Sequence, residues 1–305
     1  MTEIDLSQVV KPKSYLSQII EIGLDPDYAD LTLLQIIELD SAAAYVLKMR
    51  KSNPKNFCDQ AEQCWGWTKN WINESTVNNE TKIVCIGGAF IDDLPHVKSG
   101  YKYNVDHLVD HYREVVPEMN KGNIQHVQGK SEALPFEDEF ADIVYCRNAL
   151  DHVDNPVRTL QEMDRILKPD GKVFIAVYYN STFLSEHEST VIDADFLSKC
   201  VFPLFDVDVT DFEDVPQQQT IDGRKTKFVY IVGNKKEGGK VLLNNWQVIS
   251  VEKILENFHL GFLYMQNDEK KANKYFSEML EYQPVFDADV WRQNFGREYL
   301  EGRIK

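Results

Sequence analysis

The sequence predicts an α/β fold built on a mostly parallel β-sheet. Between Lys82 and Asn234, apolar segments of strand length alternate with amphipathic helical segments, a pattern typical of a parallel sheet covered by helices on both faces. The flanking segments have helical periodicity instead. We therefore expect an N-terminal helical cap (1–78), an α/β core (79–235) and a C-terminal helical hairpin region (236–305).

Seven segments of the core have the composition of β-strands, being rich in β-branched and aromatic residues. They are residues 82–86, 102–105, 124–128, 142–146, 172–178, 205–209 and 227–232. The polar stretch between the last two strands lacks the regularly spaced apolar residues of a helix. We therefore expect those two strands to pair antiparallel, so that the last strand runs against the others.

The clearest helix of the core begins after Asn155. Asn155 suits the N-cap and Pro156 the first turn. Apolar side chains then recur at helical spacing, at Val157, Leu160, Met163 and Leu167. We expect the segment Pro169-Asp170-Gly171 to end this helix, since proline and glycine are poor helix formers.

Composition and charge exclude several classes of function. The chain has 305 residues and a formal net charge of −16, which repels nucleic acid. The first residues lack the basic and apolar regions of a secretory leader, and no run of apolar residues is long enough for a membrane span. We expect a cytoplasmic protein that binds neither nucleic acid nor membrane. The five cysteines have no CxxC spacing, so we expect neither disulfides nor a metal site.

A glycine pair ends the first predicted strand, in the segment TKIVCIGGAF. Gly87 and Gly88 serve either as a structural turn or as backbone that approaches a ligand closely. Asp106 ends the second predicted strand, 19 residues after Gly87. A glycine turn followed at about this distance by a carboxylate is the arrangement that binds a nucleoside, because the carboxylate accepts hydrogen bonds from ribose hydroxyls.

Three later motifs resemble those of a known family. They are Glu132-Ala133-Leu134-Pro135-Phe136, Phe140-Ala141-Asp142-Ile143-Val144 and Arg165-Ile166-Leu167-Lys168-Pro169-Asp170-Gly171. Their order and spacing resemble the class I S-adenosylmethionine-dependent methyltransferases, in the small-molecule branch known as methyltransferase type 11. The resemblance covers about residues 80–235. It implies a Rossmann-like sheet of seven strands and S-adenosylmethionine as the cofactor.

The resemblance also implies which residues hold the cofactor. The segment Gly87, Gly88 and Ala89 would face its methionine part, Asp106 would hold the ribose and Leu108 would pack near the adenine. Two further pairs would complete the site. Ser131 and Glu132 would lie beside the adenine edge, and Arg147 and Asn148 would lie near the sulfonium.

Three departures from the family pattern leave a second hypothesis open. Cys85 replaces a carboxylate that would pair with the cofactor's ammonium, Ala89 replaces a glycine, and Lys130 replaces an aspartate that would bind the adenine amine. A lost charge-assisted hydrogen bond is worth about 1.5–3 kcal/mol. The alternative is therefore a catalytically weakened protein of the same fold that serves as a cofactor-binding or protein-interaction module.

Methyl transfer to a hydroxyl requires a base, and two histidines are candidates. His152 lies just beyond the fourth predicted strand, where sheets of this kind present their ligands, and His187 follows the fifth. A structural role at the start of a helix explains His152 equally well. The segment around His187 also has the composition of a solvent-exposed loop. Asn148 is a third candidate for the catalytic group. We expect no dyad between Asp151 and His152, because neighbours on a helix do not face each other.

The acceptor is expected to be a small molecule. The segments VDHLVDHY and CRNALDHVDNP give a narrower resemblance to methyltransferases found among glycan-building enzymes. This resemblance implies a hydroxyl of a sugar or glycan precursor as the acceptor. The helical ends of the chain are candidates for covering the acceptor pocket, for forming a homodimer or for binding a protein partner.

Overall fold

The computed structural model describes residues 77–89, 94–116, 123–179, 190–219 and 225–243, with single residues or short pieces at 31–47, 72, 119, 270, 271 and 274. The chain divides into two compact units, Met1–Lys130 and Ser131–Lys305. Of the strands that the structure describes, three lie in the first unit and four in the second.

The first unit contains three parallel strands. They are β1 (Lys82–Ile86), β2 (Tyr101–Asp106) and β3 (Ile124–Gln128). Strand β2 pairs with both others. A 3₁₀ turn (Leu94–His96) precedes β2, and helix α1 (Val109–Val115) follows it. Four of the five residues of β1 are buried, as expected for a strand inside a parallel sheet.

An apolar cluster joins helical residues of the N-terminal segment to α1 and the residues on either side of it. Its members are Leu39, Ala42, Ala43, Val46, Leu108, Val109, Tyr112, Val115, Val116 and Met119. The first four follow the spacing of one helix face. We call this group the N-terminal cluster. It places part of the predicted helical cap beside the segment that follows β2.

The second unit begins with a parallel β-α-β element. Strand β4 (Ala141–Arg147) leads to helix α2 (Pro156–Ile166) and strand β5 (Leu167–Tyr179). The Asn155 side chain accepts a hydrogen bond from Arg158 N, and Pro156 opens the helix, as predicted. The helix is shorter than predicted, however. Its last residue is Ile166, and Pro169-Asp170-Gly171 lies inside β5, in an irregular part of the pairing with β4.

Arg165 fastens α2 to the loop before β4. Its guanidinium donates to the backbone oxygens of Leu134 and Phe136 at 3.0 and 2.8 Å. It also pairs with the buried carboxylate of Glu162 at 2.7 Å and with Asp138 at 2.8 Å. Burial alone would raise the pKa of Glu162, but hydrogen bonds from Arg165 and Leu134 N lower it. The motif residues around 132–138 and 165 therefore hold each other in place.

The second unit ends in an antiparallel pair of strands. A short helix α3 (Ala194–Phe196), continued by a π-helical turn (Leu197–Val201), leads to β6 (Phe205–Gln219) and β7 (Lys225–Lys235). Strand β7 runs antiparallel to both β5 and β6. The predicted fold class, with a mostly parallel sheet and an antiparallel last strand, is confirmed.

The parts of the prediction that concern the chain ends are less complete. Most of the predicted cap and nearly all of residues 236–305 lie outside the described residues. The domain boundaries at 78 and 235 and the C-terminal hairpin therefore stay predictions.

Candidate functional site

The turn after β1 has an unusual backbone. Gly87 has a φ of +64° and Ala89 a φ of +44°, both in the left-handed region that favours glycine. A Cβ added to Gly88 would collide with Asn104 Oδ1 and lie 2.7 Å from Cys85 Sγ. Packing therefore leaves no room for a side chain at Gly88, and the backbone angle at Gly87 favours glycine. Of the two readings, the structural turn is thus supported at Gly88, because a side chain there would disturb the fold itself.

Asp106, at the end of β2, is fastened to this turn. One of its carboxylate oxygens accepts a hydrogen bond from Ala89 N at 3.1 Å and the other from Leu108 N at 2.8 Å. Each oxygen keeps a lone pair for another donor. The residue is only 5% exposed. Sequence spacing and structure thus agree on the contact between the glycine turn and the carboxylate.

The surroundings of Asp106 include charged groups that sequence reasoning missed. His107 Nδ1 lies 3.7 Å from Asp106 Oδ1, and His107 Nε2 lies 3.7 Å from Glu38 Oε2. The hydroxyl of Tyr112 donates to Glu38 Oε1 at 2.6 Å. Glu38 comes from the N-terminal segment, 68 positions before Asp106, and no local pattern in the sequence marks it. We call Asp106, His107, Glu38 and Tyr112 the carboxylate cluster.

The pKa of Asp106 reflects this setting. Burial and, to a smaller extent, the negative charge of Glu38 raise this pKa to about 6, whereas His107 and the two backbone hydrogen bonds act in the opposite direction. Burial therefore costs the ionised form more than its backbone donors and His107 return. Hydroxyl donors from a ligand would stabilise that form.

Leu108 is placed differently from its expected role. Its side chain is fully buried in the N-terminal cluster, so it offers no surface to an adenine ring. The residue contributes its backbone N–H to Asp106 instead. The half-exposed His107 beside it is the side chain that adjoins the carboxylate.

Ser131 and Glu132 contact the start of helix α2. Ser131 Oγ lies 2.9 Å from Thr159 Oγ1 and donates to Glu132 Oε2 at 3.1 Å. Glu132 Oε1 accepts from Asn155 N at 3.0 Å. These bonds orient the loop before β4 on α2, and both residues keep part of their surface exposed. Their predicted contact with adenine stays a prediction.

Arg147 is the last residue of β4, which is one residue longer at this end than predicted, and Asn148 follows it. Their predicted place near the sulfonium stays a prediction. Asn148 has a φ of +51° and is exposed, and its N–H donates to Ala176 O at 2.6 Å. Asparagine adopts this conformation more readily than most residues, and such strained positions concentrate at functional sites. The bond to β5 fixes the backbone and leaves the amide side chain accessible.

His152 lies in a turn between β4 and α2, and it contacts its neighbour. His152 Nε2 lies 3.6 Å from Asp151 Oδ1. At 3.6 Å this contact is longer than a hydrogen bond, so the expectation of no dyad stays a prediction. The two residues precede the helix rather than belonging to it, so the helical spacing argument does not apply. Burial raises the pKa of Asp151, while the neighbouring His152 lowers it. His152 is 29% exposed, enough for contact with a small molecule.

Of the remaining residues near the predicted acceptor site, the structure describes only some. His187, the second candidate base, lies outside the described residues. Tyr178 and Tyr179, at the end of β5, pack edge-on against Phe228 and Phe212. The described residues bring together no group of three or more His, Cys, Asp or Glu side chains suited to a metal ion. Within the same part of the chain, no helix has the length and apolar character needed to cross a membrane.

Comparison with known proteins identifies the family. Residues 85–175 match the family model described as a methyltransferase domain. An uncharacterized protein of Methanocaldococcus jannaschii, MJ1123, is 30% identical over 162 residues, covering 50% of this chain and 75% of that protein. The chain belongs to the class I S-adenosylmethionine-dependent methyltransferases. The predicted family, enzyme class and cofactor are thereby confirmed.

Other relatives match over shorter stretches. The uncharacterized methyltransferase YcgJ of Bacillus subtilis is 37% identical over 57 residues, 19% of this chain and 22% of that protein. The ubiquinone/menaquinone biosynthesis C-methyltransferase UbiE of Pectobacterium carotovorum is 38% identical over 78 residues, 25% of this chain and 30% of that protein. Each aligned stretch thus spans less than a third of the relative's length.

Solved structures of similar proteins include two methyltransferase-fold chains. The crystal structure of YcgJ has a TM-score of 0.45 and 17% identity, covering 58% of this chain and all of that one (100%). A S-adenosylmethionine-dependent methyltransferase from Methanosarcina mazei has a TM-score of 0.43 and 16% identity, covering 54% of this chain and 96% of that one.

The described residues fit this cofactor. Asp106 combines deep burial with two carboxylate oxygens that are each oriented by one backbone N–H, which suits the two hydroxyls of a ribose. The turn of Gly87 and Ala89 is held directly against that carboxylate. Cys85 is 1% exposed, with its sulfur under Gly88, so it does not replace the missing carboxylate.

Proposed function

We propose that this protein transfers a methyl group from S-adenosylmethionine to a hydroxyl of a small molecule. The observation that carries the proposal is the placement of Asp106, a buried carboxylate whose two oxygens are oriented by Ala89 N and Leu108 N. In this role Asp106 accepts hydrogen bonds from the ribose hydroxyls. The cofactor supplies an electrophilic methyl group on sulfur, and the protein supplies alignment, worth up to about 7–11 kcal/mol.

The proposed base is His152. It would take the proton from the acceptor hydroxyl as the oxygen attacks the methyl carbon and the carbon–sulfur bond breaks. Asp151, 3.6 Å away, would stabilise the imidazolium that forms. Asn148, exposed at the end of β4, would orient the cofactor or the acceptor through its amide.

We propose a sugar or glycan precursor as the acceptor, on the strength of the narrower sequence resemblance. The name of the relative UbiE specifies a carbon acceptor in quinone biosynthesis, which is the competing class. The departures at Cys85, Ala89 and Lys130 support the alternative of a weakened methyltransferase that binds its cofactor without turning it over.

The test measures cofactor binding first. Calorimetric titration with S-adenosylmethionine and S-adenosylhomocysteine is expected to show binding that Asp106→Ala loses, because the ribose loses its acceptor. Asp110→Ala is the matched control, since that carboxylate is 63% exposed and pairs with Arg113 on α1. Absence of binding to the unaltered protein would contradict the proposal, and so would equal affinity in Asp106→Ala.

The second test measures methyl transfer from labelled cofactor. Nucleotide sugars, simple glycans and quinol precursors would be offered as acceptors. His152→Ala is expected to lower kcat about 10²–10⁴-fold with unchanged cofactor affinity. Transfer to a quinol alone would overturn the sugar assignment, and binding without transfer to any acceptor would favour the weakened protein.

A further inference from the structure

The carboxylate cluster connects the N-terminal segment with the proposed ribose site. Glu38 comes from the helical N-terminal residues, and the other members come from the end of β2 and from α1. The imidazole of His107 stands between the carboxylates of Glu38 and Asp106, 3.7 Å from each. Such a cluster places two like charges near one another across a single titratable ring.

The position of Glu38 is fixed from two sides. Tyr112 OH donates to Glu38 Oε1 at 2.6 Å, and Tyr112 is itself 1% exposed within the N-terminal cluster. The adjacent Leu39 is fully buried in the same cluster. The packing that anchors this segment therefore also holds a negative charge close to Asp106.

We propose that Glu38 is a positioning residue of the cofactor site, whose charge acts on Asp106 beside His107 and couples cofactor binding to proton release. The inference rests on the proposed ribose-binding role of Asp106. The groups that act on Asp106 are Glu38 from the N-terminal segment, His107, and the N–H groups of Leu108 and Ala89. Tyr112 in turn feels the charge of both carboxylates.

The direction of the coupling follows from the burial of Asp106. Burial and Glu38 raise the pKa of Asp106 to about 6, so a fraction of the free protein carries a proton there near neutral pH. Ribose hydroxyls donate to the ionised form and stabilise it. Binding near pH 6 therefore releases a proton, and affinity rises with pH until the free protein is fully ionised.

The experiment compares Glu38→Gln with the unaltered protein. Affinity for S-adenosylhomocysteine is measured by calorimetry at pH 5 and pH 7, in buffers of different ionisation enthalpy so that released protons are counted. A pKa of about 6 gives an increase of about tenfold between these pH values, because the ionised fraction rises by that factor. In Glu38→Gln the increase is expected to fall to less than half of that, with fewer protons released at pH 6.

His107→Gln supplies the opposite change. Removing the imidazole removes a group that lowers the pKa of Asp106, so the rise in affinity is expected to move to higher pH. Asp110→Asn is the matched control for loss of one carboxylate from the same region, and it should follow the unaltered protein. A merely structural role of Glu38 would change affinity by the same factor at every pH.

A second measurement does not depend on the cofactor. The carboxyl resonance of Asp106, assigned with Asp106→Asn, is followed by NMR against pH in aspartate-labelled protein. The midpoint should lie lower in Glu38→Gln and higher in His107→Gln. Unchanged midpoints would overturn the inference about Glu38. Absence of any S-adenosylhomocysteine binding by the unaltered protein would overturn the proposed function and the proton coupling with it.

Discussion

At the scale of single residues, Ala89 occupies a position for which glycine is better suited. Its φ of +44° costs an L-residue about 1–2 kcal/mol, partly offset by the lower entropy of alanine in the unfolded chain. We expect Ala89→Gly to raise the free energy of unfolding by about 0.5–1 kcal/mol, measured by chemical denaturation.

The control for this prediction is Ala133→Gly. Ala133 is exposed and its φ lies outside the left-handed region, so the glycine should lower the free energy of unfolding instead. Equal losses in both variants would show that the backbone angle at Ala89 carries no strain.

Sequence reasoning located the residues whose spacing reflects local geometry. The glycine turn follows β1 and Asp106 ends β2. The carboxyl ends of neighbouring parallel strands meet at one edge of a sheet, so their proximity was predictable. Glu38 was not, because its approach depends on how a helix far away in the chain packs on α1. The burial of Leu108 depends on the same packing.

At the scale of elements, the ion-pair network of Arg165 holds α2 to the loop before β4. Arg165→Met would remove two bonds to backbone oxygens and leave the 3% exposed carboxylate of Glu162 with fewer partners. We expect a loss of about 2–4 kcal/mol in the free energy of unfolding, measured by denaturant titration.

Arg158→Met is the matched control for that variant. Arg158 pairs with the same carboxylate at 2.9 Å but is 52% exposed, so we expect a loss of at most about 1 kcal/mol. Similar losses in the two variants would mean that the backbone contacts of Arg165 contribute little.

The bounds of helices and strands were predictable where neighbouring residues determine them. They were less predictable where pairing with another strand determines them. Asn155 and Pro156 determine the start of α2 locally, and β1 and β3 match their predicted bounds. Strand β6 extends to Gln219 through a segment rich in acidic residues, which disfavour strands. Its pairing with β7 supplies the hydrogen bonds that the local sequence does not signal.

At the scale of the whole molecule, the net charge of −16 affects how strongly the protein attracts S-adenosylmethionine compared with its product, S-adenosylhomocysteine. S-adenosylmethionine carries one positive charge more than S-adenosylhomocysteine, because its sulfur is a sulfonium. A negative field raises the local concentration of the cation, and salt screens that field over a Debye length of about 10 Å at 0.1 M. The field therefore favours substrate over product at low ionic strength.

The ratio of the two affinities tests this argument. We expect the affinity for S-adenosylmethionine, divided by that for S-adenosylhomocysteine, to fall about two- to fivefold between 0.02 and 0.5 M NaCl at pH 7.5. The product is its own matched control, since both ligands share the ribose and adenine contacts and differ in charge at the sulfur. A ratio that stays constant across this range would mean that the discrimination arises from short-range contacts with the sulfonium rather than from the field of the whole protein.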